Sequence, residues 1–333
     1  ERNYYRKELR KVHAGKYYID NIIGESDGIK YMKEQIRQAA RSTSNVVIEG
    51  ETGTGKELVA HSIHTLSERA GKTLIKLNCA AIPLELAESE LFGYEYGAFT
   101  VAKSGGKTGK FELAYHSTLF LDEINHLSVV IQPKLLRTLQ EKEIERVGGT
   151  RTIPVDVRLI TATNIPLKIL VGQNSFRNDL YYRLNVITIR IPPLRERQGD
   201  LPLLIDNIIC RLNTQLGTMV DGVDEETLYQ FKNYSWPGNI RELQNVLERA
   251  MNQKLSGILT WQQFADYFDT PNYRKLKQDV LKGQYGDTKK AKKELERAMI
   301  SEVLSQFKGN KKKTAEYLGI SRTLLYQKIK EFD

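Results

Sequence analysis

A chain of 333 residues is long enough for about two compact units, and 40% hydrophobic with 27% charged side chains is ordinary globular usage, which excludes a disordered, collagen-like or disulfide-stapled polypeptide. Its two cysteines, Cys79 and Cys210, stand apart and read as small buried hydrophobes in a reducing compartment, and no apolar run approaches the ~18 residues of a membrane helix or the core of a signal peptide, so a cytoplasmic protein is expected. The net charge of +9 is unevenly spread: residues 271–333 hold 16 Lys and Arg against 8 Asp and Glu, the other 270 residues 34 against 33, which points to a carboxy-terminal module meeting a polyanion such as nucleic acid.

In chain order, residues 1–20 are basic, helical in pattern and read as a connector remnant from a missing upstream sensor domain. Short apolar and β-branched runs at Val46–Ile48, Leu74–Leu77, Thr118–Leu121, Val157–Thr163 and Val186–Ile191 then alternate with amphipathic stretches. That rhythm predicts an α/β domain with a parallel sheet over 21–191. After Pro192-Pro193 the strands stop, and helical periodicity through 200–216, 226–234 and 240–253 predicts an all-helical subdomain over 192–269. Residues 270–288, with Pro271, Gly283 and Gly286, read as a linker, and 289–333 as the basic module.

Directly after the first of these strands comes Gly50-Glu51-Thr52-Gly53-Thr54-Gly55-Lys56-Glu57, opening a helix expected to reach Arg69. It fits the phosphate loop G-x-x-x-x-G-K except that Glu57 replaces the usual Ser or Thr. The glycines let backbone N–H groups and the helix start face an anion, and Lys56 adds a point charge for the β- and γ-phosphates. A second element, the apolar run 118–121, ends in Asp122-Glu123. Beside a phosphate loop, Asp122 would hold Mg²⁺ through its water shell and Glu123 would orient or deprotonate the attacking water, so hydrolysis of ATP or GTP is the expected chemistry. His61 and His64 lie three apart on the intervening helix with no third metal ligand, and read as helix-surface or packing residues.

In the tail, residues 294–307 read as one amphipathic helix. Two further helical stretches flank Gly319-Ile320-Ser321, with Ala315 small where helices cross, Leu318 and Ile320 inward and Ser321 as N-cap. This is helix-turn-helix grammar. Arg322, Thr323, Tyr326, Gln327 and Lys330 would lie on the groove side, and Lys311, Lys312 and Lys313 on phosphate.

From about residue 21 to 253 the motifs GETGTGKE, LNCAAI, ESELFGYEYGAFT, TLFLDEI, FRNDLYYRLNV, PPLRER and WPGNIRELQN resemble the AAA+ ATPase domain of bacterial enhancer-binding proteins, the NtrC family of sigma-54-dependent activators. The resemblance implies a three-layer α/β/α domain with a helical lid, followed by a helix-turn-helix domain that resembles the Fis type. It implies that Asn78 is the switch holding Glu123, that Thr163 and Asn164 are the first sensor and Arg241 the second, and that Arg177 and Arg183 are arginine fingers reaching a neighbouring subunit in a ring, usually a hexamer. The insertion 92–110 resembles the loop that engages sigma-54 polymerase, with Phe99 and Thr100 in contact. Where the family hexapeptide is G-A-F-T-G-A, this chain has Val101 at the second glycine, and a β-branched residue resists positive φ. An activator that remodels sigma-54 polymerase is implied, with a DNA-binding AAA+ regulator that acts without remodelling as the alternative.

Overall fold

The computed structural model describes residues 18–97 and 106–268, together with Lys311. The expected connector up to residue 17, Phe99, Thr100 and Val101 of the insertion, the linker, and Lys312, Lys313, Ser321, Arg322, Thr323, Tyr326, Gln327 and Lys330 lie outside the described residues. The chain divides into two compact units, the first ending at Phe264.

A helix at Asp27–Arg41 (α1) leads into Val46–Glu49 (β1), and the glycine-rich turn joins β1 to Lys56–Thr65 (α2). Then come Ile75–Asn78 (β2), Leu84–Phe92 (α3), and a short antiparallel pair, Gly93–Tyr94 (β3) and Lys107–Thr108 (β4), at the base of the insertion. Lys110–Leu113 (α4), Ser117–Asp122 (β5) and Gln132–Glu141 (α5) precede a second small hairpin, Glu143–Glu145 (β6) with Thr152–Pro154 (β7). Val157–Thr163 (β8), Leu167–Gly172 (α6), Asn178–Leu184 (α7) and Ile187–Arg190 (β9) complete the sheet domain. The helical subdomain holds Leu201–Leu216 (α8), Met219–Val223 (β10), Glu225–Asn233 (α9), Asn239–Gln253 (α10) and Ser256–Leu259 (β11).

The five main strands pair in the order β2-β5-β8-β1-β9, all parallel. Their side chains alternate between two apolar layers, as period-2 geometry requires. Val47, Leu119, Leu121 and Leu159 face Phe92, Phe111 and Leu135, whereas Ile48, Phe120, Ile160 and Ala162 face Ile29 and Ile36 of α1 and Val59 and Ile63 of α2. A sheet buried on both faces is why these strands read as near-continuous hydrophobic runs. Parallel pairing also gathers the carboxyl ends at one edge, with Asn78 beside Asp122 and Glu49 beside Thr163. Ligands bind at this edge in open α/β sheets.

The expectation that strands stop after Pro193 fails, because β10 and β11 form a two-stranded parallel ladder. Both are short and interrupted by Gly222 and Gly257, so neither carries a readable alternation, and a bulge falls between Val220 and Gly222. Asn213 at the end of α8 brackets the ladder, its Nδ2 donating to Val220 O at 2.8 Å and its Oδ1 accepting from Val220 N at 3.0 Å. The helix after the phosphate loop ends at Thr65 rather than Arg69; Ser67 donates from Oγ to His64 O at 2.7 Å and diverts the carbonyl from further helix. His64 is a buried packing residue, with Nδ1 3.0 Å from Thr118 Oγ1 and Nε2 3.0 Å from Lys72 O. Among the described residues no group of His, Cys, Asp and Glu is arranged to hold a metal, and no helix is long and apolar enough to cross a membrane.

The cysteines part company. Cys79 is buried as expected, and burial pushes its thiol up to about 12, whereas Cys210 on α8 is exposed. Only a thiolate reacts readily with an electrophile. At pH 8 the folded chain should therefore lose one thiol to a maleimide promptly and the second only on unfolding; two fast thiols would contradict the burial of Cys79.

Candidate nucleotide-binding site

The turn from Gly50 to Gly55 carries the chain from the buried β1 into α2, beside a cavity of about 380 Å³. Residues 52–57 line it, so the unpaired N–H groups at the start of α2 border this space, an arrangement suited to an anion. Gly53 has φ +81, and a Cβ there would stand 2.2 Å from Gly238 O of the helical subdomain. Lys56 is buried, and burial lowers its ammonium below the ordinary value. Its Nζ donates to the loop's own carbonyls, Gly50 O at 2.8 Å and Glu51 O at 3.1 Å.

Asp122 at the end of β5 and Glu123 line the same cavity. Burial pushes the Asp122 carboxyl up, and its Oδ1 accepts from Glu123 N at 2.9 Å. Glu123 sits at φ 52, a left-handed conformation unusual outside glycine and one of those that cluster at active sites. Glu57, in place of the usual hydroxyl, takes an ion pair from Lys76 Nζ at 2.7 Å. The Asn78 Oδ1 accepts from Ala80 N at 2.9 Å, and among the described residues no hydrogen bond joins Asn78 to Glu123. Thr163 Oγ1 lies 3.2 Å from Asn125 Oδ1 and donates to Ile165 O at 2.6 Å. Asn164 borders a neighbouring, more open cavity with Gly50 and Glu51, its Oδ1 buried without a partner among the described residues.

The helical subdomain is bound to the loop by charge. Arg195 grips Glu51 with two parallel bonds, 2.8 and 2.7 Å, and this grip holds the Glu51 carboxyl below its ordinary range. Asn239, fully buried at the start of α10, donates from Nδ2 to Glu51 Oε2 at 3.2 Å and Thr52 O at 3.1 Å while its Oδ1 accepts from Leu194 N at 2.8 Å. Ile240 N donates to Gly53 O at 3.1 Å, and Arg241 in the next position lines the cavity. The sequence reading placed Glu51 in the loop but missed Arg195 and Asn239 as its partners, since nothing in a single sequence pairs positions 144 and 188 residues apart.

Arg177 and Arg183 do not line this cavity. Arg177 at the start of α7 pairs with Asp179 through Nε at 3.0 Å and a terminal nitrogen at 2.7 Å, and Arg183 donates to Leu139 O at 2.9 Å. Both are solvent-facing, on a surface that a second molecule could meet. At the base of the insertion, Arg146 of the second hairpin loop pairs with Glu112 at 2.8 Å and Glu95 at 3.2 Å.

Three family models match the chain: a sigma-54 interaction domain over residues 22–190, an AAA+ ATPase lid domain over 195–279, and a Fis-family bacterial regulatory protein domain over 293–332. The chain is 41% identical to the regulatory protein AtoC of Escherichia coli, over 98% of this chain and 71% of that one. It is 45% identical to a signal-transduction and transcriptional-control protein of Clostridium beijerinckii, over 96% of this chain and 50% of that one. It spans about half the length of several such curated relatives. Among solved structures it is similar to NtrX of Brucella abortus in complex with ATP, with TM-score 0.69, 30% identity and coverage of 98% and 72% of the two chains.

Replacing Asn239 by Ala strands the buried Leu194 N–H and leaves a non-glycine residue at φ 52 with no side-chain bond to support it. Stranding a buried donor costs about 2 kcal/mol. The unit up to Phe264 should melt about 4–8 °C lower, and a midpoint within about 1 °C of wild type would show that the contact carries no stability.

Proposed function

The chain belongs to the NtrC family of sigma-54-dependent transcriptional regulators, and from that premise we propose that it hydrolyses ATP as a ring, binds upstream DNA through residues 289–333, and uses the hydrolysis to remodel sigma-54 polymerase in the bacterial cytoplasm. The observation that carries this reading is the convergence of the phosphate loop, Asp122, Glu123 and Arg241 on one cavity.

The triphosphate lies on the N–H groups of residues 50–57, and Lys56 exchanges its two loop carbonyls for phosphate oxygens. The apolar part of the lining, Ile22, Ile23, Met32, Leu204 and Ile208, suits the flat faces of adenine. A magnesium ion fits the hard oxygen donors of Asp122, which would hold it through water; when bound, the ion offsets charge on the β- and γ-oxygens. Glu123 orients a water and takes its proton as the oxygen bonds to the γ-phosphorus and the bridging P–O bond breaks, giving ADP and phosphate. Arg241 contacts the phosphates in cis, while Asn78, Thr163 and Asn164 report whether the γ-phosphate is present.

Arg177 and Arg183 complete a neighbour's site, which makes turnover depend on assembly into a ring, most simply a hexamer. Phe99 and Thr100 contact sigma-54. DNA contacts come from Lys311, Lys312 and Lys313 on phosphate and from Ser321, Arg322, Thr323, Tyr326, Gln327 and Lys330 at the groove. Val101 supports the second reading, a DNA-binding regulator without remodelling.

Two tests follow. Lys56→Ala should abolish ATP binding, whereas Glu123→Gln should bind ATP and fail to hydrolyse it; equal ATP affinity in wild type and Lys56→Ala, measured by calorimetry, would sink the site. Arg177→Ala or Arg183→Ala should lower turnover by about 10³-fold or more, as removal of a trans-acting arginine does, and wild-type turnover per subunit should rise with protein concentration. Turnover per subunit that stays flat across that range would exclude a shared site.

A further inference from the structure

Ile22 and Ile23 line the nucleotide cavity from an irregular stretch between a short 3-10 turn at Ile19–Asn21 and α1. Among the described residues no strand pairs with this stretch, so its backbone polar groups are satisfied by other partners. A single carboxylate takes two of its N–H groups. Asp200 Oδ1 accepts from Glu25 N at 2.7 Å and Ser26 N at 2.8 Å, and its Oδ2 accepts from Ser26 Oγ at 2.6 Å and Arg197 Nε at 3.0 Å. Arg197 in turn donates to Ile23 O. Both side chains are nearly inaccessible, Asp200 at 2% and Arg197 at 3%. Gly24, at φ +141, is required beside them, because a Cβ there would stand 2.6 Å from Asp200 Oδ2. Burial alone would raise the Asp200 carboxyl, but the bonds from Ser26 and from the backbone of Glu25 and Ser26, with the Arg197 charge, outweigh it and keep the group ionised.

Asp200 also stands directly before α8, whose Leu204 and Ile208 line the same cavity one and two turns on. The pair thus fastens two walls at once: the segment carrying Ile22 and Ile23, and the helix carrying Leu204 and Ile208. The phosphate loop has a separate support in Arg195 and Asn239.

We propose that the buried Arg197–Asp200 pair positions the base-binding wall of the cavity, and so governs affinity and selectivity for the purine ring while leaving the grip on the phosphates unchanged. This rests on the ATP reading above.

The test compares ATP, GTP and inorganic tripolyphosphate, each with magnesium, binding to the full chain by calorimetry. Asp200→Ala should weaken ATP about tenfold or more and narrow the preference for ATP over GTP, with tripolyphosphate unchanged to within about twofold. Asp200→Asn, which keeps an acceptor for the two backbone N–H groups, should recover much of the loss. KM for ATP should rise with kcat held to within about twofold, the pattern of lost binding common to ground and transition states. Breaking a buried ion pair can unfold a domain, so Ser26→Ala, which removes one bond and no charge, serves as the milder variant and should weaken ATP about threefold without affecting tripolyphosphate. The inference is overturned if ATP and tripolyphosphate weaken together, or if neither Asp200→Ala nor Ser26→Ala changes ATP binding while wild type still prefers ATP to tripolyphosphate. A wild-type chain that binds ATP no better than tripolyphosphate would overturn the base pocket itself, and with it the reading on which the clamp rests.

Discussion

Gly53 has room for a hydrogen and nothing larger, because the carbonyl oxygen of Gly238 stands 2.2 Å from where a Cβ would be. The phosphate loop and the helical subdomain therefore meet backbone to backbone. A glycine-rich turn held at positive φ has little intrinsic rigidity, and here its shape is enforced from outside: Ile240 N bonds Gly53 O, Asn239 bonds Thr52 O, and Arg195 holds Glu51 with both carboxylate oxygens engaged. A displacement of the loop is passed directly to α10, and with it to Arg241. Coupling of this sort needs no long pathway, only contacts too close to deform independently.

The acids are prepared in the same fixed way. Asp122 ends a strand that is buried over nearly its whole length, Glu123 has a left-handed backbone conformation, and the Glu123 N–H holds the Asp122 carboxylate. Two of the three Lys56 donors are taken by Gly50 O and Glu51 O, so a triphosphate that engages more than the remaining one competes with those carbonyls. That competition tightens the link between nucleotide and loop shape. The solvent-facing Arg177 and Arg183, bound to Asp179 and Leu139 O, are similarly held in place at a surface away from the cavity of their own chain.

What the sequence made legible follows from length scale. The five strands of the sheet were readable because both faces are buried, and the phosphate loop and the acidic pair because their chemistry lies within a few adjacent residues. The β10–β11 ladder was not, since each strand is short and broken by glycine and their pairing joins Val220 to Gly257. Nor was the exposure of Cys210, which depends on which side of α8 faces its neighbours. Glu51 was legible as a loop residue but not as the anchor of Arg195 and Asn239, and the partnership of Asp200 with Ser26 spans 174 residues. Side-chain pairings at such separations exist only once the chain has folded.

The use proposed for this hydrolysis is a change in the state of sigma-54 polymerase. The decisive measurement is permanganate detection of unpaired thymines at a sigma-54 promoter, with polymerase, the chain, and either ATP or a non-hydrolysable ATP analogue. Strand opening with ATP and none with the analogue is the expected result. Equal opening with both, or opening without any nucleotide, would show that the chain activates through contact alone.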